Sequence, residues 1–387
     1  MKKIYSFTSV LEESSLELSN VAGSFLEGMR ITDIDGKNFI VGNLALSEGT
    51  APHKFINSSA RDLDYRILSL VSLVLATQGQ CFKFHLTTGF PFTTYQSFKR
   101  DAIDFLKRRH QIAIDTKTFG GQSIETVNVN VEQVNIMTEI DGCIKTIRDG
   151  NIREKDNFFI VSLGFGTFEA ALSTPNGIVN RTTVSSKGLS YAVNILEKEL
   201  QKDHYLKLLT EKQIERAFQR GVIIVDRQKI DLKKQRAKAL EIYYNEVISP
   251  ELRKKFSDDD FLDTSKIYLA GGGAFYSELV ELFKKEFQNI LDVIVPPDPN
   301  LCAGIGYCIH SIEEAKKAGL TDKKSDVAYV GIDLGNSNTV VVIDADGIAL
   351  DQAEKSEAVT GETDEARIDG AVNGNDLKTD EINIQQN

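Results

Sequence analysis

Along the chain, two periodicities alternate. Residues 123–136, Ser-Ile-Glu-Thr-Val-Asn-Val-Asn-Val-Glu-Gln-Val-Asn-Ile, switch between apolar and polar side chains at every step, which predicts a long half-buried strand. Leu63, Ile67, Leu70, Val71 and Val74 recur at helical spacing behind Ser58 and Ser59, which are placed to cap that helix, and residues 82–87 then read as a strand. Thr88-Gly89-Phe90-Pro91 breaks that strand before a second amphipathic helix ending near Phe105, and residues 28–42 form two alternating runs around Asp35-Gly36, a hairpin by its turn chemistry. The first 150 or so residues are therefore mixed α/β.

After the polar segment 149–157, Phe158-Phe159-Ile160-Val161-Ser162-Leu163 is apolar enough for a buried strand. Two more strands follow across Pro175-Asn176-Gly177. Helices are expected to dominate from Lys187 to about Phe256, one of them opened by a Thr210-x-x-Gln213 capping box. A strand returns at Lys266–Ala270, a helix covers Asn300–Ala318, and a linker from Gly319 to Asp326 leads into a final strand pair. From Asp351 onward there is no apolar periodicity, and ten acidic residues face three basic ones, the composition of a disordered acidic tail.

Composition narrows the function classes. A length of 387 residues with 41% hydrophobic and 26% charged residues suits a globular protein of two domains, and no apolar run is long enough to span a bilayer. Lys2 and Lys3 are followed too soon by Glu12 and Glu13 for a signal peptide, so a cytoplasmic protein without membrane integration is expected. A formal charge of −11 disfavours direct contact with nucleic acid. Cys81, Cys143, Cys302 and Cys308 are scattered without metal-ligand spacing, and His53, His85, His110, His204 and His310 share no motif. Asp344-Ala345-Asp346-Gly347 lacks the glutamate that a calcium loop needs and reads as a hairpin turn, and the basic run 227–236 reads as a solvated helix face.

The chemistry sits in three glycine-bearing joints. In Ile332-Asp333-Leu334-Gly335-Asn336-Ser337-Asn338-Thr339, a tight turn between apolar strands offers successive backbone N–H groups to phosphate oxygens, and Asp333 is placed to hold a hydrated Mg²⁺. In Ser162-Leu163-Gly164-Phe165-Gly166-Thr167-Phe168-Glu169, a second strand–turn–strand unit repeats the design. In Leu269-Ala270-Gly271-Gly272-Gly273-Ala274, a buried strand ends in glycines whose missing Cβ atoms let backbone approach a nucleoside. Each joint alone would also serve as a plain turn. Together they are specific.

In combination the three segments resemble the phosphate-1, phosphate-2 and adenosine motifs of the superfamily of actin, the large heat-shock chaperones and the sugar kinases. Asn38-Phe39-Ile40-Val41-Gly42, Thr88-Gly89-Phe90-Pro91 and residues 299–307 are similar to the bacterial plasmid-segregation actins of the ParM type. The motifs run phosphate-2, adenosine, phosphate-1, whereas the superfamily opens with phosphate-1. The resemblance therefore implies a circularly permuted, two-domain actin-like ATPase fold. Its first domain would comprise residues 1–158 plus 300–350, its second 159–299, and the tail 351–387. The new cut would fall between Leu350 and Tyr5.

The resemblance also implies function. ATP with Mg²⁺ would bind between the domains, Gly335, Asn336, Ser337 and Asn338 forming one phosphate loop and Gly164, Phe165, Gly166 and Thr167 the other. Gly271, Gly272, Gly273 and Ala274 would meet the nucleoside. Asp333 would face the metal, and Glu139, in Thr138-Glu139-Ile140-Asp141-Gly142, would polarise the attacking water or else merely cap its helix. The phosphate-2 motif normally begins with aspartate and here has Ser162, which implies slow hydrolysis or support from another acid such as Asp141. The family's partners are further copies in a head-to-tail filament and a DNA-binding adaptor, with plasmid or other cargo segregation as the purpose. A non-polymerising ATP-dependent switch and a metabolite kinase are the rival readings.

Overall fold

The computed structural model describes residues 2–344 except Ile34 and residues 56–57, 78–81, 204–205, 207–208 and 321–326. Cys81, His204, most of the linker, the Ala345–Gly347 part of the proposed turn, the Leu350 cut point and the acidic tail therefore lie outside the described residues. The chain runs β1 (Lys2–Thr8), β2 (Leu11–Glu13), β3 (Arg30–Thr32), β4 (Asn38–Val41), α1 (Asn43–Glu48), α2 (Leu63–Thr77), β5 (Lys83–Phe90), α3 (Phe92–Leu106), β6 (Arg109–Asp115), β7 (Ile124–Thr138) and α4 (Glu139–Asp149). It continues through β8 (Phe158–Leu163), β9 (Thr167–Thr174), β10 (Gly177–Ile178), β11 (Val184–Lys187), α5 (Ser190–Leu200), α6 (Glu211–Arg220), β12 (Val222–Val225), β13 (Gln228–Asp231), α7 (Lys233–Tyr243), a π-helical turn (Tyr244–Ile248) and α8 (Ser249–Lys255). It closes with α9 (Asp258–Leu262), β14 (Lys266–Ala270), α10 (Ser277–Glu286), β15 (Asp292–Ile294), α11 (Cys302–Lys317), β16 (Val327–Leu334) and β17 (Asn338–Asp344).

Two main sheets result. The larger has the order β1-β17-β16-β5-β7-β6-β3-β4-β2, and the smaller β10-β9-β8-β14-β15 with β11 added to β9. The last hairpin, β16–β17, is thus inserted between the first strand and β5. Period-two patterning explains the layers. Val341 and Ile343 join the core beneath α2 and α3, while Val340 and Val342 pack against Cys308 and Ile305 of α11. In β8, Phe158 and Ile160 meet α4 and α11, whereas Phe159, Val161 and Leu163 face the core built with α5, α7 and α10. The α4–α11 pair is consequently a layer shared by the two sheets. Its close crossing needs glycine: a Cβ on Gly306 would lie 1.8 Å from the Gly142 carbonyl oxygen.

Most of the expected elements form, and four details differ. Thr88-Gly89-Phe90 does not break the strand expected at 82–87 but continues β5, which ends only before Pro91. Helix α2 starts at Leu63, and Ser59 bonds the Asp62 carboxylate (3.0 Å) instead of capping it. The helical stretch 187–256 is interrupted by the hairpin β12–β13, so the basic run 227–236 spans a turn, a strand and a helix start. The helix expected from Asn300 begins at Cys302, after a 3₁₀ turn at Pro299–Leu301.

Candidate functional site

Parallel strands bring the chemistry to one edge. β16, β5 and β7 run parallel, as do β8 and β14, and their C-terminal ends carry Asp333, Thr88, Thr138 leading into Glu139, Ser162 and Ala270 leading into Gly271. Ligands of open α/β sheets bind at such ends.

The two hairpins correspond position by position. Leu334 pairs with Thr339 and Asp333 with Val340; Leu163 pairs with Phe168 and Ser162 with Glu169. Each innermost pair encloses four residues, Gly335–Asn338 in one hairpin and Gly164–Thr167 in the other. Ser162 is therefore the counterpart of Asp333. Directly opposed residues of an antiparallel pair project to the same face, so the carboxyl absent at position 162 reappears beside it on the neighbouring strand, at Glu169. Glu169 is fully buried, its Oε1 accepts from the Phe92 N–H at the start of α3 (2.5 Å), and Ser185 of β11 lies opposite it on its other side. Sequence reasoning missed Glu169, although counting across a four-residue turn identifies it.

Different forces hold the two turns. In the 164–167 turn, the carbonyls of Gly164, Phe165 and Gly166 accept from Leu189 (3.0 Å), Ser190 (2.9 Å) and Gly188 (3.1 Å), so its carbonyls are tied back. The 335–338 turn has a backbone tie from the Ser9 N–H to the Ser337 carbonyl (2.9 Å), and charged side chains supply the rest. Lys54 Nζ donates to Asn336 Oδ1 (3.0 Å) and to the Phe55 carbonyl (3.3 Å), Lys212 Nζ donates to the Ser337 carbonyl (3.3 Å), and Ser337 Oγ bonds the Glu215 carboxylate. Lys212 and Glu215, one turn apart on α6, form a buried ion pair at 2.7 Å. Neither Lys54 nor this pair was legible as a site feature in the sequence.

Glu139 follows the capping residue Thr138, whose side chain accepts from the Asp141 N–H; Asp141 Oδ2 in turn accepts from Thr138 Oγ1 at 2.6 Å. Glu139 is thus free of the capping role, and Asp141 is engaged in it. Ser162 Oγ donates to Glu139 Oε1 at 3.3 Å. Burial holds the carboxyls of Asp333, Glu169 and Glu139 above the usual range. The Glu139 charge adds to this for Asp333 and Glu169, while Lys54 opposes it at Asp333 and the Ser162 hydroxyl opposes it at Glu139. Carboxyls crowded in low dielectric favour an incoming cation.

The residues fit a nucleotide with Mg²⁺. Tyr307 Oη, fully buried with the charges of Asp333, Glu139 and Glu169 around it, lacks a hydrogen-bond partner, a position that a hydrated ligand would satisfy, whereas the equally unpartnered Thr88 Oγ1 pairs with Ile332 and so faces the other side of the sheet from Asp333. Among the described residues no group of three or more His, Cys, Asp or Glu side chains forms a metal cage. Asp333, joined by phosphate and water, would instead give the sparse protein ligation Mg²⁺ prefers. Gly271, at φ +82°, packs against the Leu163 backbone, where a Cβ would come within 2.8 Å; Gly273 abuts Leu163 and Leu189, and Gly272 faces open space. The triplet therefore wedges beneath the 164–167 hairpin and exposes one backbone stretch, with Ala274 buried behind it.

The fold is actin-like. Residues 2–139 match the family model of the actin like proteins N terminal domain. The structure is similar to a ParM subunit in a 15-stranded filament from Clostridium botulinum, with 18% identity, 79% of this chain and 92% of that chain covered, and a TM-score of 0.65. It is also similar to the archaeal actin homolog Ta0583 in complex with ADP (14% identity, 80% and 92% covered, TM-score 0.59) and to the actin-like protein Alp7A (16% identity, 81% and 92% covered, TM-score 0.57). No curated protein sequence matches the chain. Among the described residues, no helix is long and apolar enough to cross a membrane.

Proposed function

We propose that this protein binds ATP with Mg²⁺ between its two matched hairpins, hydrolyses it slowly and polymerises head to tail in the cytoplasm. The single observation that carries this reading is the shared register of the 335–338 and 164–167 turns, with Asp333, Glu139, Ser162 and Glu169 around one strand edge. The ParM filament and the ADP complex of Ta0583 among similar structures support self-assembly and nucleotide binding. The turn amides would hold the phosphates, Gly271–Ala274 the nucleoside, and Asp333 the metal. Magnesium, when bound with nucleotide, supplies neutralisation of phosphate charge.

Glu139 would position a water and take its proton at the carboxylate. Burial makes it a better base, and the Ser162 hydrogen bond, by favouring the charged form, makes it a weaker one. Glu169 is the acid placed to compensate for Ser162. We read the motif order as circular permutation: α11 leads into β16, which lies two strands from β1. The two domains would be 1–158 with 300–350, and 159–299. A DNA-binding adaptor would link such a filament to plasmid or other cargo.

Sedimentation with Mg²⁺ and ATP, ADP or no nucleotide tests the proposal. Pelleting that depends on nucleotide is expected. A protein that binds ATP but stays monomeric would leave the switch reading in its place.

A further inference from the structure

Polyphosphate binding needs positive charge, and the described cleft is dominated by acids. Of the two lysines among the described residues that reach the 335–338 turn, Lys212 is neutralised by Glu215 at 2.7 Å. Lys54 differs. Its ammonium rests on two uncharged acceptors, the amide oxygen of Asn336 and the carbonyl of Phe55, with the charges of Asp64, Asp333 and Lys212 as its surroundings. The backbone on either side of it is clamped. His53 makes a two-way bridge with Leu11 (3.0 and 3.1 Å), Glu12 binds the Thr50 and Ala51 N–H groups, and the Phe55 N–H donates to Asp64 (3.0 Å). A lysine so fixed, with its head group on a neutral side chain of a phosphate-loop turn, is preorganised for an anion that is absent from the protein itself.

We infer that Lys54 is a phosphate-binding residue that exchanges Asn336 Oδ1 for an oxygen of the terminal phosphate of bound ATP, and so discriminates ATP from ADP. This rests on the nucleotide reading above and names a residue for it. Burial pushes the Lys54 ammonium down to about 8, against the pull of Asp64 and Asp333, so the lone cation is held at some cost that a phosphate would relieve.

Titration of wild type and Lys54→Gln with fluorescent ATP and ADP analogues in the presence of Mg²⁺ tests the inference. ATP affinity should fall by about 10–100-fold, the range for losing a charged hydrogen bond, ADP affinity by less than about threefold, and Lys54→Arg should recover most of the loss. Equal losses for both nucleotides, or none, would overturn it. A wild-type measurement removes dependence on the variants: acetylation of Lys54, read by mass spectrometry, should slow with a non-hydrolysable ATP analogue and much less with ADP. Labelling indifferent to ATP would also overturn it. If the wild type binds neither nucleotide, the broader nucleotide reading fails first.

Discussion

The two hairpins share a register and a turn length but draw in different proportions on backbone bonds and charged side chains. Around 164–167 the turn is bound to its own domain by three backbone hydrogen bonds from residues 188–190, and Gly271 seals it from below. Around 335–338 a single backbone bond from Ser9 to Ser337 is supplemented by Lys54, Lys212 and Glu215, side chains from distant segments, two of them on a helix of the 187–256 stretch. Backbone contacts hold one geometry; charged side chains can change partner when a competing anion arrives. One turn is built as a fixed wall and the other as a responsive one.

The largest effect is expected from removing the acid of the responsive hairpin. Asp333→Ala should weaken Mg²⁺-dependent ATP binding by about 100-fold or more, measured by calorimetry, because no second carboxylate lies at its counterpart position, Ser162. Unchanged affinity would break the assignment. The fixed hairpin should respond through stability. Gly271→Ala forces a side chain into the Leu163 backbone at a positive φ and should cost roughly 2–4 kcal/mol by denaturant unfolding.

The cross-strand exchange of the acid can be tested directly. Glu169→Ser should slow phosphate release by roughly 10–100-fold, and adding Ser162→Asp should restore much of it, since the carboxyl then returns to the same face. Failure of the double variant to recover would separate Glu169 from the chemistry. The smallest effect is on pH dependence. With its folded pKa raised by burial, Glu169 contributes full stability below the unfolded carboxyl pKa near 4. That stability is lost as pH climbs towards the raised folded value. Glu169→Gln should therefore remove part of the alkaline loss of the nucleotide-free protein, by about 1–3 kcal/mol at pH 8 and little at pH 5, as read by thermal unfolding.

How far the fold was legible depended on local rules. The strand read at 123–136, the capping box at Thr210 and Gln213 and the glycine joints all obey short-range chemistry, and all form, the strand running from Ile124 to Thr138. The β12–β13 hairpin escaped notice because its turn uses Asp226 and Arg227, both at positive φ (50° and 64°), where glycine or asparagine is the recognisable signal. At the site, the turn glycines and Asp333 announce themselves through residue type. Lys54 does not: its role arises from a segment about 280 positions away in the sequence, and only tertiary contact reveals it.

Hydrogen exchange of the two turns, with and without ATP and Mg²⁺, measures the central claim most directly. If one nucleotide lies between the hairpins, the amides of 335–338 and 164–167 should become protected together, by about tenfold or more. Protection of only one turn, or of neither while ATP is bound, would contradict it.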